Sequence, residues 1–129
     1  MKIVFKNSNI VFAKGVTQVS YSSIDSKYLD DDGIVQDATY STNKVTEELP
    51  ADNYIVSGCF SANTGRISVA WYDSGHNFIS GVRLNEGDNT TAKVERAKLT
   101  KPENASYVKF AYVYSGSGYY ALDLSIYKE

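Results

Sequence analysis

The chain carries one cysteine, one histidine, one tryptophan, one methionine and two prolines in 129 residues. A single cysteine, Cys59, excludes an intrachain disulfide and a thiolate-rich metal site. Between Gly58 and Phe60 it reads as a small buried hydrophobe. As a nucleophile it would have only His76 for an imidazole base. Charge of either sign is not in surplus: 13 Lys and Arg stand against 15 Asp and Glu, a formal net charge of −2. Phosphate binding needs clustered, excess cation, so nucleic acid is not an expected partner. No run approaches the roughly 18 to 20 unbroken apolar residues of a membrane helix, so membrane insertion is not expected. The opening MKIVFKNSNIVFAKG lacks a signal-peptide core, because Lys6, Asn7, Ser8 and Asn9 interrupt it. The chain is therefore expected to stay in the compartment where it is made. On that expectation the sequons at Asn89 and Asn104 read as chance matches.

Aromatic side chains are what the sequence has in quantity: 11 Tyr, 5 Phe and 1 Trp, 13% of the chain. Aromatic and β-branched residues favour strands and suit interfaces. Strict alternation marks Val16 to Tyr21, Tyr54 to Phe60, Arg66 to Tyr72, Phe78 to Leu84, Tyr107 to Tyr114 and Tyr119 to Tyr127 as strands. Ile34 to Tyr40 is a short polar edge. Ile3-Val4-Phe5 and Ile10-Val11-Phe12 form either a small hairpin or one interrupted strand. Thr91 to Leu99 fits neither period well and reads as a strand or a short turn of helix. Gly-, Asp-, Asn- and Pro-bearing turns separate these runs, among them Asp30 to Gly33, Asp73 to Gly75 and Ser115 to Gly118. About eight to ten short strands so spaced predict an all-β sandwich or barrel in one domain. Residues 1–13 stand apart as a strand segment and candidate docking arm, and 14–129 form the domain.

The stretch Ala70-Trp71-Tyr72-Asp73-Ser74-Gly75-His76-Asn77-Phe78 holds the three residue types of a hydrolase triad. A working triad places the histidine between serine and a buried aspartate, from separate elements, opposite an oxyanion hole. Adjacent turn residues point outward at different angles. A hairpin turn accounts for all of them, so no catalytic residue is assigned. Paired glycosidase carboxylates need about 5 to 9 Å between them in a cleft. Asp73, Asp123, Glu95 and Glu103 qualify only by type. Asp30-Asp31-Asp32-Gly33 invites a calcium loop. With Gly33 at the sixth position, Tyr28 and Thr39 fall where acids are required. No metal and no cofactor is expected.

The stacking aromatics are the stronger signal, because sugar rings offer apolar C–H faces to Tyr and Trp. Trp71 shares a face with Ile67 and Val69 and is expected in the core, which leaves Tyr72 exposed. Tyr112, Tyr114, Tyr119 and Tyr120 surround the Ser115 to Gly118 turn. These five tyrosines are the candidate ligand-binding residues. The plainer reading makes them core edge or subunit interface.

The order of the motifs resembles a known family. Tyr28-Leu29-Asp30-Asp31-Asp32-Gly33-Ile34 comes first, then Leu49-Pro50-Ala51-Asp52-Asn53-Tyr54. Trp71-Tyr72-Asp73-Ser74-Gly75-His76-Asn77-Phe78-Ile79-Ser80-Gly81 follows, and Leu99-Thr100-Lys101-Pro102-Glu103-Asn104-Ala105-Ser106-Tyr107-Val108 comes last. Over about residues 28 to 127 this is similar to carbohydrate-binding-module-like jelly-roll domains of phage head-fibre, decoration and tail accessory proteins. The start MKIVFKNSNIVFA resembles small structural proteins of phages that infect Bacteroidetes. The resemblance implies a two-sheet antiparallel jelly-roll sandwich with an N-terminal strand or hairpin extension. It implies a non-enzymatic virion protein, made in the cytoplasm of a bacterial host, whose partners are other virion proteins and its own copies, three being expected. Ile3, Val4, Phe5, Ile10, Val11 and Phe12 would form the docking interface, and host surface polysaccharide would be the ligand. A stand-alone carbohydrate-binding module is the alternative. Sugar-binding jelly rolls often hold a structural calcium, for which Asp25, Asp30 or Asp32 would serve.

Overall fold

The computed structural model describes residues 16–39, 43–60, 66–84, 93–113 and 121–128, with the backbone alone at 59, 60, 93, 113 and 121–123. In chain order the strands are β1 (Thr17–Gln18), β2 (Ser23–Asp25), β3 (Lys27–Leu29), β4 (Val35–Asp37), β5 (Lys44–Thr46), β6 (Leu49–Pro50), β7 (Tyr54–Phe60), β8 (Arg66–Tyr72), β9 (Phe78–Leu84), β10 (Lys93–Lys98), β11 (Tyr107–Val113) and β12 (Ala121–Lys128). No helix occurs among the described residues. The protein is an all-β antiparallel sandwich. The front sheet runs β9-β8-β11-β5-β2, with β6 also paired to β11. The back sheet runs β10-β7-β12-β1, and β3 pairs with β4 as a separate hairpin.

Alternation places one side of each long strand between the sheets. The front sheet contributes Ile67, Val69 and Trp71 from β8 and Val108, Phe110 and Tyr112 from β11; the back sheet contributes Tyr54, Val56, Leu124 and Ile126. Phe110, Ile67, Ile126, Val56 and Val108 are completely buried. Each such side chain contributes about 1.5–3 kcal/mol through removal from water. Tyr54 meets Phe110 edge-on at 5.8 Å, and its hydroxyl donates to the Pro50 carbonyl at 2.5 Å. The expected core position of Trp71 is correct.

Phe78–Leu84 returns along Arg66–Tyr72 as the sequence predicts, with one bulge between Phe78 and Ser80. Thr91 to Leu99 resolves as a strand, Lys93–Lys98. A bulge between Val94 and Ala97 explains why it fits no period: two residues occupy a gap in the ladder, and Arg96 takes a φ of 47°. Val16 to Tyr21 is shorter in strand than its pattern implied, with only Thr17–Gln18 paired, although Val19 and Tyr21 still pack on the core. The arm Met1 to Ala13, with Ile3, Val4, Phe5, Ile10, Val11 and Phe12, lies outside the described residues.

Candidate functional site

The outer face of the front sheet has its own apolar cluster. Leu29, Val45, Ala70, Tyr72 and Ala111 are buried together, with Val35 and Tyr107 packed against them. The cover is the β3–β4 hairpin, which lays Leu29 and Val35 over the sheet. Its turn is set by Asp30, whose Oδ1 accepts the Asp32 and Ile34 amides at 2.9 Å and whose Oδ2 accepts the Gln36 side-chain amide at 2.9 Å. The Gln36 bond first, then the Ile34 amide, holds the Asp30 carboxyl below its ordinary pKa. Gly33 sits at φ +72°, a conformation glycine adopts without steric cost. A Cβ there would overlap the Phe78 ring.

This cover corrects the expectation for Tyr72. It is 4% exposed, and its hydroxyl donates to the Gly33 carbonyl at 2.5 Å. Burial, then the nearby Glu48 and Asp30 carboxylates, push its phenol up to about 12. Lys109 Nζ stands 5.1 Å from the ring centroid, a cation–π distance. Tyr72 therefore pins the hairpin to the sheet and presents no free ring face. Tyr112 is corrected likewise. It is buried in the sandwich core and bonded to the Tyr21 hydroxyl at 2.5 Å, and Tyr21 donates onward to the Leu124 carbonyl at 2.6 Å. Tyr114, Tyr119 and Tyr120 lie outside the described residues.

The triad-like stretch is a turn. Asp73 Oδ1 accepts the Gly75 and Asn77 amides at 2.9 Å, and the His76 amide donates to the Asp73 carbonyl at 2.9 Å. Those amide bonds, the Asn77 backbone bond foremost, lower the Asp73 pKa. His76, at φ 65°, places its ring flat on Tyr107 (4.4 Å, 5°) and its Nδ1 against Glu48 at 3.0 Å. Its carboxylate partner is thus Glu48, not Asp73. This pairing was invisible in sequence because Glu48 comes from a different stretch of chain. Asp25 pairs with Lys44 at 2.6 Å, and no cluster of three metal-ligating side chains occurs among the described residues.

Where the hairpin stops short of the edge, a cleft of about 420 Å³ opens between the Leu29–Asp31 segment and β9. Ser68 and Ala70 line it from β8, and Phe78, Gly81, Val82 and Arg83 line it from β9. Phe78 leans edge-on against Tyr72 (6.2 Å, 68°) yet keeps 37% of its surface exposed. Gly81 keeps the strand low here, since a Cβ would stand 2.8 Å from the Val69 carbonyl oxygen. Arg83 forms an ion pair with the exposed Asp31. Ser68 is 5% exposed, and its Oγ makes no hydrogen bond among the described residues. A buried hydroxyl without a partner costs about 1–3 kcal/mol. The cleft thus combines one apolar ring, a paired acid and base, and a hydroxyl needing a polar partner. Two carboxylates, Asp30 and Asp31, against one guanidinium favour a ligand that is not an anion.

Residue types single out tyrosines as the exposed aromatics and make Phe78 only the start of a return strand. Alternation along β9 places Phe78 with Ser80, Val82 and Leu84 on the core side; the bulge between Phe78 and Ser80 turns it to the outer face beside Tyr72, and that bulge carries no mark in the sequence. No family model matches the chain, and no curated protein or solved structure matches it.

Proposed function

We propose that the protein is a non-enzymatic structural or accessory protein of a phage particle, a head fibre, capsid decoration or tail accessory, whose jelly-roll domain adheres to host-surface glycan. The observation that carries the binding half is the Phe78 cleft. A neutral sugar residue fits its chemistry: the C–H face stacks on the Phe78 ring, hydroxyls bridge Asp31 and Arg83, and one hydroxyl satisfies Ser68 Oγ.

The jelly-roll part of the reading is supported by the strand pairs. β8 pairs with β9, β7 with β10, β5 and β6 with β11, and β1 with β12. These pairs are nested in sequence and alternate between front and back sheets. Rolling up one long antiparallel ribbon produces such nesting, which supports the double Greek-key path of a jelly roll. The β2 strand and the β3–β4 hairpin are insertions between the first and second strands of the ribbon. Non-enzymatic action is supported by the engagement of the acids: Asp30 and Asp73 hold turns, and Asp31 faces Arg83. The virion half rests on the family resemblance, and a stand-alone sugar-binding module would use the same cleft.

A glycan array probed with the whole protein tests the binding half: hits confined to neutral sugars, lost in Phe78→Ala, are expected, and an array without hits contradicts it. Antibody labelling of purified phage particles tests the virion half. Label on the particles is expected; particles without label leave only the stand-alone module.

A further inference from the structure

The floor of the Phe78 cleft is built of three rungs. Across β9 and β8 the register pairs Phe78 with Tyr72, Gly81 with Ala70, and Arg83 with Ser68. The rungs share the outer face of the sheet and follow one another at about 7 Å, two residues along a strand. The first carries the Phe78 ring. The second is bare, since Ala70 brings only a methyl and Gly81 nothing; a Cβ on Gly81 would already stand 3.7 Å from that ring. The third is polar. Ser68 is 5% exposed, and its Oγ makes no hydrogen bond among the described residues. Arg83 holds Asp31 of the hairpin over this rung by its Oδ1. Asp31 Oδ2 accepts no hydrogen bond among the described residues, and the side chain is 84% exposed. The neighbouring Asp30 differs, because Asp32, Ile34 and Gln36 engage both of its oxygens. Two unengaged oxygens therefore stand on opposite walls of the cleft: a hydroxyl on the sheet and a carboxylate oxygen on the hairpin.

We infer that the sugar this cleft takes carries an acetamido group. A secondary amide is planar and trans, so its carbonyl and its N–H point in opposite directions. Set between the two walls, the carbonyl accepts from Ser68 Oγ and the N–H donates to Asp31 Oδ2. The amide methyl rests on Ala70 and Val82, which line the same cleft. Ring hydroxyls would engage the two oxygens and leave this apolar surface unused. The sugar ring itself sits on the bare second rung, against Phe78, and the acetamido arm reaches from there to the third rung. An uncharged amide also suits a cleft with two carboxylates and one guanidinium. The inference rests on the sugar reading above and names the class of sugar. The acetamido carbonyl takes the place given there to a hydroxyl at Ser68.

Titrations of the full chain followed by amide NMR shifts test it. The probes are the methyl glycosides of N-acetylglucosamine and N-acetylgalactosamine, their parents methyl glucoside and methyl galactoside, and N-methylacetamide. At least one acetamido sugar should bind about tenfold tighter than its parent, the gain of added hydrogen bonds in a partly buried site. Ser68→Ala and Asp31→Ala should each erase most of that difference. Ser68→Ala removes a buried hydroxyl that has no partner, so it should melt no lower than the wild type, and its loss of preference is then not a loss of fold. Equal affinity for parent and acetamido sugars, or a preference that survives in Ser68→Ala, overturns the inference and leaves the sugar reading standing. No binding by any of the four sugars overturns both. N-methylacetamide binding as tightly as the acetamido sugars would make this a site for peptide-like amides and overturns the inference too.

Discussion

The outer face of the front sheet has two halves that differ in what covers them. Over β5, β11 and Tyr72 the β3–β4 hairpin closes the face, and Leu29, Val45, Ala70, Tyr72 and Ala111 form a second small core. Over β9 the cover is partial: the hairpin reaches Phe78 through Gly33 and Arg83 through Asp31, and Phe78, Gly81 and Arg83 border the cleft left between. Both halves are built on the same strand, β8, whose residues from Ile67 to Tyr72 are all buried. The lesson is that strand alternation assigns a side chain to a face, while burial of that face is decided by an element elsewhere in the chain. Tyr72 and Phe78 lie opposite each other in register. One is a structural pin and the other a binding candidate because the hairpin turn at Gly33 buries Tyr72 and leaves Phe78 partly exposed.

The largest expected effect removes what both halves share. Phe110→Ala empties the sandwich core and should cost about 3–5 kcal/mol in urea denaturation. Leu29→Ala acts on the covered half alone. It should cost about 2–5 kcal/mol and speed amide exchange across Lys27–Asp37, which would make the two halves alike. Tyr72→Phe removes the pin and leaves the Gly33 carbonyl without its donor, at about 1–3 kcal/mol.

The same substitution has a pH signature. The buried phenol of Tyr72 is raised from about 10 to about 12. The folded chain keeps a proton that the unfolded chain releases in that interval. Stability from this group is therefore complete below pH 10 and declines as pH rises toward 12. Denaturation midpoints measured against pH should fall less steeply over this window in Tyr72→Phe. The raised Tyr54 phenol is present in both proteins and cancels in the difference. On the open half, Phe78→Ala should cost about 1–2 kcal/mol, since the ring is partly exposed yet loses its edge-on contact with Tyr72.

Much of the fold was legible because the long strands carry two or more full alternations. Tyr54–Phe60, Arg66–Tyr72 and Phe78–Leu84 have the bounds their patterns predict. Ser23–Asp25, Lys27–Leu29, Lys44–Thr46 and Leu49–Pro50 were not legible, since two or three residues show no period. Thr46 illustrates the loss. It is a polar residue in a short strand, yet it is buried and its Oγ1 accepts the Phe110 amide at 3.1 Å. The hydrogen-bonded turn at Asp73 was readable from residue types alone. The cleft was not, because it joins residues near 30 to residues near 80 through a hairpin whose docking depends on Leu29 and on one hydroxyl, that of Tyr72.

The central claim is that the open half, at Phe78, is the working surface. A glycan array run in parallel on the wild type, Phe78→Ala and Tyr72→Phe tests it most directly. The account predicts neutral-sugar hits for the wild type and Tyr72→Phe, and their loss in Phe78→Ala. An absence of hits in the wild type, or hits that survive in Phe78→Ala, would contradict it.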